Sequence, residues 1–331
     1  MSFKKLDPED ILVSADSISS PIWSNNSASL TAFYINSSQT TGQSGRYYTN
    51  AYDQVSSNVE AEVQFAGAYG DSKGSGSLLY NSGAPELSPT RTVYGQFLNL
   101  IYGEDEGASF NFNGVLKENF YAIVFNRARY KQALLPGSLQ LSFAGSGVII
   151  TDDSAITPVV NYLSCGRVYN LGSGSNGNGV MPSTATNGSY GLFLPDIGVI
   201  ILNPDAISAA AGGAGGPAAS RGSNTNAVNN PSVLVADIDL FALQSQETVT
   251  SDYIFCRARN AEFNYSVNPS FSVSASAGSI LQSIWVQNPT TYITSVGMYN
   301  DNNELLAVAK LSKPLKKDFT KEALVRVKLD F

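Results

Sequence analysis

Along residues 291–331 apolar and polar side chains alternate with period two, the pattern of half-buried strands. In 292–299, Thr294, Val296 and Met298 are expected to face one way, and Ile293, Ser295, Gly297 and Tyr299 the other. The "NDNN" at 300–303 supplies a turn, because Asn and Asp accept left-handed backbone and bond their own main chain. "ELLAVAKL" then reads as the return strand of a hairpin over 291–317. The final "LVRVKLDF" puts Val325, Val327, Leu329 and Phe331 on one face and Arg326, Lys328 and Asp330 on the other, an antiparallel strand with one wet side.

Further upstream the same signal is broken into shorter pieces. "SLQLSF" (138–143), "ADIDLFALQ" (236–244) and "SDYIFCRARNAEFNYS" (251–266) alternate, while "GVIIT" and "IGVIILN" are apolar runs bounded by turn residues. Two segments carry a helical period instead. "SPTRTVYGQFLNLIYGE" offers Ser88 as N-cap, Pro89 at the first helical position and Gly103 as a stop, with Val93, Phe97, Leu100 and Ile101 on one face. "NFYAIVFNRARYKQALLPG" is predicted as a second helix between Asn119 and Pro136, with Phe120, Val124, Arg127 and Lys131 on one face, although "YAIVF" by itself suits a strand. Residues 1–60 are rich in Ser and Asn, with scattered aromatics (Trp23, Phe33, Tyr34, Tyr47, Tyr48, Tyr52) and no clean period. They read as an extended arm with short strands that takes its order from a neighbour. Residues 208–232 are low in complexity and read as a flexible loop. The expected fold is therefore mainly β, with antiparallel, sandwich-like sheets, a small helical insertion and an extended N-terminal arm, α+β by content. Its segments are 1–60, 61–137, 138–260 and 261–331.

Composition narrows the chemistry. A chain of 331 residues with 43% hydrophobic side chains can bury a real core. Only 14% are charged, against the roughly 25% usual in globular proteins, so the polar surface is built from Ser, Asn, Thr, Gly and Gln. Histidine is absent, which removes the commonest general acid–base and nitrogen ligand near neutral pH. Cys165 and Cys256 form neither a zinc pattern nor a disulfide framework, and Cys256 is expected as a buried free thiol of a protein made in a reducing cytoplasm. The N-terminus lacks the apolar core of a secretory signal, and no apolar run is long enough to span a membrane. A net charge of −7 argues against nucleic acid as a partner.

Candidate motifs then reduce to turns and surface charge. "GSGSNG" (172–177) matches a dinucleotide fingerprint, with Asp196 at about the right distance, but "NGVMPSTATNGSYG" after it cannot supply the helix that would hold a pyrophosphate. "GDSKGSGS" (70–77) has the wrong spacing for a phosphate loop. Glu104, Asp105 and Glu106 lack the Asp/Asn alternation of a calcium loop, and "TDDSA" (151–155) reads as an Asx turn. The arginines of "RARYK" (127–131) and "RARN" (257–260) are expected in salt bridges. "PLKKDFTKEALVRVK", with Lys313 just before it, is a basic strip carrying Lys313, Lys316, Lys317, Lys321, Arg326 and Lys328, a solvated strand face that can also dock a partner.

Several long phrases carry a resemblance across nearly the whole chain. They are "LDPEDILVSADSISSPIWSNN", "YGDSKGSGSLLYNSGAPELSPTRTVYGQFLNLIYGE", "RARYKQALLPGSLQLSF", "GRVYNLGSGSNG", "YGLFLPDIGVIILNP", "ARNAEFNYSVNPSF" and the C-terminal "YITSVGMYNDNNELLAVAKLSKPLKKDFTKEALVRVKLDF". In these the chain resembles virion structural proteins of large contractile-tailed, T4-like phages, especially those infecting marine cyanobacteria. The hairpin is separately similar to a "Y-I-x-x-V-G-L-Y-N…L-L-A-V-A-K" segment of phage tail, fibre and baseplate proteins, with Met298 where leucine is usual. The resemblance implies a multi-copy virion subunit of the tail or baseplate, assembled in the cytoplasm of an infected bacterium. It brings no catalytic residues, cofactor or metal, and implies other virion proteins as partners, not nucleic acid or membrane. Candidate contact residues are Lys313, Lys316, Lys317, Arg326, Lys328, Trp23 and Tyr34. A receptor- or glycan-binding tail appendage and a head or neck protein are the alternatives. A virion glycosidase would need a cleft with two carboxylates.

Overall fold

The computed structural model describes residues 4–30, 32–35, 48–76, 80–81, 83–103, 109–182, 188–210, 230–266 and 289–330. It is mainly β, 48% strand and 12% helix. Two compact units divide it, Ile18–Glu247 forming one and Met1–Ser17 with Thr248–Phe331 the other. These limits differ from the expected divisions at 60, 137 and 260, because the first residues group with the last and cutting in sequence order cannot find such a unit.

The chain begins with β1 (Ile11–Pro21). The larger unit continues through β2 (Ser29–Leu30), β3 (Tyr34–Ile35), β4 (Tyr48–Tyr52), β5 (Val63–Asp71), helix α1 (Pro89–Tyr102), the small hairpin β6 (Phe110–Phe112) and β7 (Val115–Lys117), and β8 (Asn119–Phe125). Then come β9 (Ala133–Leu134), β10 (Gln140–Phe143), β11 (Ile149–Asp152), β12 (Asn161–Leu163), β13 (Gly166–Ser173), β14 (Gly191–Leu194) and β15 (Val199–Leu202). Helices α2 (Pro204–Ala210) and α3 (Asn230–Ala236), then β16 (Ile238–Ala242), lead into β17 (Gln244–Ala258). The smaller unit holds most of β17, with β18 (Thr291–Tyr299), β19 (Leu305–Lys317) and β20 (Ala323–Asp330).

The larger unit is built on one curled antiparallel sheet, in the order β2-β16-β10-β11-β13-β14-β15-β8-β5-β4-β3, with β12 added on β13. Its curl follows from connectivity. A flat sheet would place β2 and β3 roughly 48 Å apart at about 4.8 Å per strand. Only residues 31–33 join them, and that stretch spans about 15 Å at most. The two ends of the sheet must therefore approach one another. Ring packing shows the result: Phe241 of β16 and Phe65 of β5, seven strands apart along the sheet, have ring centroids 5.2 Å apart.

The concave side gathers one large core. Trp23 sits at its centre, 2% exposed, with ring centroids 5.2, 6.0 and 6.4 Å from those of Phe241, Phe125 and Phe65. Tyr121, Ile123, Phe193, Ile200, Leu234 and Val235 belong to the same cluster. Gly67 of β5 lets α3 approach, since a Cβ there would lie 2.8 Å from a Val235 methyl. On the convex side α1 covers Phe120, Ala122, Leu192, Leu194 and Ile201. Gly70 makes that contact possible, a Cβ there being 2.7 Å from the Phe120 ring.

Three expectations are corrected here. The second helix is absent: residues 119–125 form β8, followed by a 3₁₀ turn at Arg127–Arg129. A strand covered on both faces needs apolar residues at every position, so its period of two disappears and a run such as "YAIVF" loses its signature. Residues 18–52 are not a dependent arm where described, because Ile22, Trp23, Leu30 and Ala51 fill the concave core. The stretch 208–232 is helical at both ends, in α2 and α3, and its middle, 211–229, lies outside the described residues, as do Glu104, Asp105, Glu106, Tyr47 and Phe331. Helix α1 starts after Ser88 and stops at Gly103, as its sequence predicts. Its buried face is Tyr94 and Ile101, with Leu100 left 47% exposed. The Ser88 hydroxyl does not cap the helix; it donates to the Gly74 carbonyl at 2.6 Å, pinning the helix start to the 71–76 turn.

Candidate protein interface

The stretches that mimic chemical motifs are packing devices. After β13 the "GSGSNG" segment turns back at once, Ser173 bridging to Val180. Its glycines allow backbone to lie on backbone: a Cβ at Gly172 would lie 2.4 Å from the Gly179 carbonyl carbon, and one at Gly179 would lie 2.7 Å from the Thr151 oxygen. Asp152 accepts from the amides of Gly137 and Ser154, and Asp153 from Asn170, so "TDDSA" is the expected Asx turn. In the 70–77 stretch Asp71 accepts from the Lys73 amide at 2.7 Å, another Asx turn. The paired arginines divide. Arg129 bridges to Glu62, whereas the Arg127 guanidinium donates to the Tyr130 carbonyl and lies 4.6 Å from the centre of its ring. Both cysteines are free and half-buried, and burial pushes the Cys256 thiol up, with the charge of Asp10 adding to it.

Asp196, the acid that a dinucleotide site would have used, is clasped by Arg167. The guanidinium donates at 2.6 and 3.0 Å and the Arg167 amide at 2.8 Å. Burial alone would raise the Asp196 pKa, but these hydrogen bonds and the adjacent charge outweigh it and hold the carboxyl below its ordinary value. A depressed folded-state pKa gives stability that is present above the unfolded value, about 3.9, and lost as pH falls through the still lower folded one. We therefore expect the stability gap between the native chain and Arg167→Gln, measured by urea unfolding, to narrow as pH falls below about 4. A gap constant from pH 7 to pH 2 would mean that the pair contributes nothing.

The basic strip of the smaller unit does not act as one surface. β20 pairs antiparallel with β17, placing Val327 opposite Ile254 and Val325 opposite Cys256 on one face, and Lys328 opposite Tyr253 and Arg326 opposite Phe255 on the other. The expected facing of β20 is thus observed, Val327 being 8% exposed while Arg326 and Lys328 face outward. Both cations lie over Tyr253, at 5.5 and 5.8 Å from its ring centre, and Lys328 also bridges Asp330 at 2.9 Å. Lys313 and Lys316 are exposed on β19.

Lys317 is not a surface residue. Its side chain is fully buried, and Nζ donates to the Asn260 carbonyl at 3.0 Å, Asn264 Oδ1 at 2.9 Å and the Asp318 carbonyl at 3.1 Å. Three protons meet three acceptors, which satisfies an ammonium taken out of water. Adjacent residues of a strand point to opposite sides, so Lys316 and Lys317 cannot both turn inward. The sequence contains that much, but not that Lys317 does. Lys317 and the Thr291 hydroxyl, which donates to the Phe263 carbonyl at 2.7 Å, fasten the base of the hairpin to residues 260–264. Lys317→Met leaves these acceptors unpartnered and is expected to cost about 1–3 kcal/mol. Hydrogen exchange should quicken first in 291–317; unchanged protection there would mean that Lys317 is not what fastens the hairpin.

Above that base β18 and β19 form a separate two-stranded sheet. Val296 and Met298, opposite Ala309 and Ala307, line a half-buried face. Ile293, expected on the other side, is also half-buried, because the pairing is irregular between Ile293 and Ser295. The rest of the hairpin exposes apolar side chains: Tyr299, Leu305 and Val308, beside Gly297, are 38%, 52% and 62% exposed, and Leu306 is 67% exposed. Tyr299 and Leu305 lean over Gly297, where a Cβ would lie 3.1 and 3.5 Å from them. The sequence reading passed over these four, although adjacent Leu305 and Leu306 cannot both turn inward from a regular strand. Of the two aromatic candidates, both in the larger unit, Tyr34 is 49% exposed on β3 and Trp23 is core. No helix among the described residues is long and apolar enough to cross a membrane. Comparison with family models, curated proteins and solved structures finds no match to the chain.

Proposed function

We propose that the chain is a non-enzymatic structural subunit of a tailed-phage virion, acting in the tail or baseplate through contacts with other virion proteins. The observation that carries this reading is the hairpin. A two-stranded sheet is marginal in water by itself. This one is fastened at its base by a buried lysine, yet it leaves four large apolar side chains in solvent. Such a surface is costly in a protein that works alone and suited to one that is covered on assembly. The resemblance of the same segment to phage tail and baseplate proteins points the same way.

The test is a reconstruction of the phage particle with mass spectrometry of its components. The chain is expected at fixed stoichiometry in the tail or baseplate, with 291–317 against a neighbouring subunit. Its absence from particles, or a solvent-facing hairpin in the assembled particle, would defeat the reading. Density at a fibre tip would favour a receptor-binding appendage instead.

A further inference from the structure

Among the described residues β1, most of it in the smaller unit, ends the order β1-β17-β20, and β18 has β19 as its partner. Natural edge strands are normally kept from pairing with other chains by lysine, proline, bulges or shortness. These two have little such protection. β18 is nine residues long with no charged residue and no proline, its two irregularities lying near its ends, between Ile293 and Ser295 and between Met298 and Tyr299. β1 runs eleven residues with Asp16 as its only charge and Pro21 at its last position, and Ile11, Leu12 and Val13 are 44%, 56% and 61% exposed.

Their charge surroundings are opposite. Residues 6–21 hold Asp7, Glu9, Asp10 and Asp16 and no base. Behind β18, β19 exposes Lys310, Lys313 and Lys316. Of the chain's 20 Lys and Arg, seven lie in 305–328 beside two of its 27 acids. That leaves 13 bases against 25 acids elsewhere, so any second copy offers this basic segment a strongly acidic partner.

We propose that the chain self-associates head to tail, β18 of one copy adding as a strand to the open edge of β1 in the next. Main-chain hydrogen bonds supply the joint, as in other strand additions. In the joined sheet the lysines of β19 stand two strand spacings, about 10 Å, from the acids around β1. That is about one Debye length at 0.1 M salt, so their attraction is felt and is weakened by salt. Pairing β1 with β1 would bring four acids of each copy together, and charge therefore selects the mixed joint. The inference rests on the reading of the hairpin as a contact surface.

The experiment is sedimentation velocity of the full chain across concentration and salt, with two variants at exposed positions whose fold is checked by circular dichroism. Val13→Lys puts an edge lysine on β1. Tyr292→Glu puts an acid on β18 directly opposite Lys316, where the hairpin itself tolerates it. The native chain is expected above 35.1 kDa, its mass rising with concentration and falling with salt. Each variant alone should dissociate at about tenfold lower salt-matched affinity or worse, and mixing the two should restore association, because one native joint remains between them. A native chain that stays monomeric, an unaffected Val13→Lys chain, or a mixture that fails to recover would overturn the inference. If the native chain is monomeric while Tyr292→Glu is lost from particles, the hairpin binds another protein: the proposed function stands and self-association falls. If the chain associates as described but Tyr292→Glu still enters particles normally, the joint stands and the hairpin is not the virion attachment.

Discussion

Trp23→Ala is expected to lose about 3–5 kcal/mol of stability in the isolated chain, the usual cost of deleting a large aromatic from a core. Trp23 touches rings from the paired strands β5 and β8 and from β16, which only the curl of the sheet brings to them. Its removal therefore opens a void where distant strands meet, which no single neighbouring side chain can refill. Tyr34→Ala, on an exposed position of β3, should stay within about 1 kcal/mol. Urea unfolding of the two variants checks both. If Trp23 were a contact for another subunit, the order would reverse, with stability nearly unchanged and assembly lost.

The contrast between those residues shows where the sequence is legible. Alternation is readable when one face is wet and the other dry, and β20 and the hairpin are of that kind. Their strands and turn were found from period alone, and the facing of β20 with them. Helix α1 was legible because its ends carry their own chemistry, Pro at the start and a glycine at φ +81° at the stop. Strands β8 and β15 are each buried on both faces, and an unbroken apolar run does not state its period. The short run of β15 is readable from the turn residues around it, whereas that of β8, which continues into the polar 126–132, reads as a helix. The aromatics of 18–52 were unreadable for another reason. Their partners lie far along the chain, in β5, β8 and β16, and nothing local distinguishes an aromatic that fills its own core from one awaiting a neighbour. Lys317 falls between: strand geometry puts two adjacent lysines on opposite faces, but the acceptors that draw one inward, around 260–264, come from another segment.

What unites the site is an economy of reactive groups. Three described carboxylates of the motif-like stretches are engaged within the fold, Asp152 and Asp153 on main-chain amides and Asp196 on Arg167. What the described residues of the smaller unit turn outward is apolar surface, strand edge, the lysines of β19 and the acids around β1. Those are the components of recognition between proteins, where shape and strand pairing give affinity and charge gives orientation.

The strongest test of that surface lies in β20. Val327→Asp is expected to destabilise the chain by about 3 kcal/mol or more, because it puts an unpaired carboxylate on the buried face opposite Ile254. The neighbouring Lys328→Asp changes the outward face alone. It loses the bridge to Asp330 and the contact over Tyr253, both solvent-exposed, and should leave a folded chain with an altered docking surface. Solubility on expression, thermal melting and incorporation into particles separate the two outcomes. Val327→Asp should fail at folding, before assembly can be asked, whereas Lys328→Asp should melt like the native chain and differ, if at all, in how it docks. Were Val327→Asp soluble and assembled while Lys328→Asp unfolded, the dry side of β20 would be the one now drawn as wet. Were both indistinguishable from the native chain in melting and assembly, neither face of β20 would carry the stability or the contact assigned to it. The sheet would then merely accompany the hairpin, which would have to hold its partner through β18 and β19 alone.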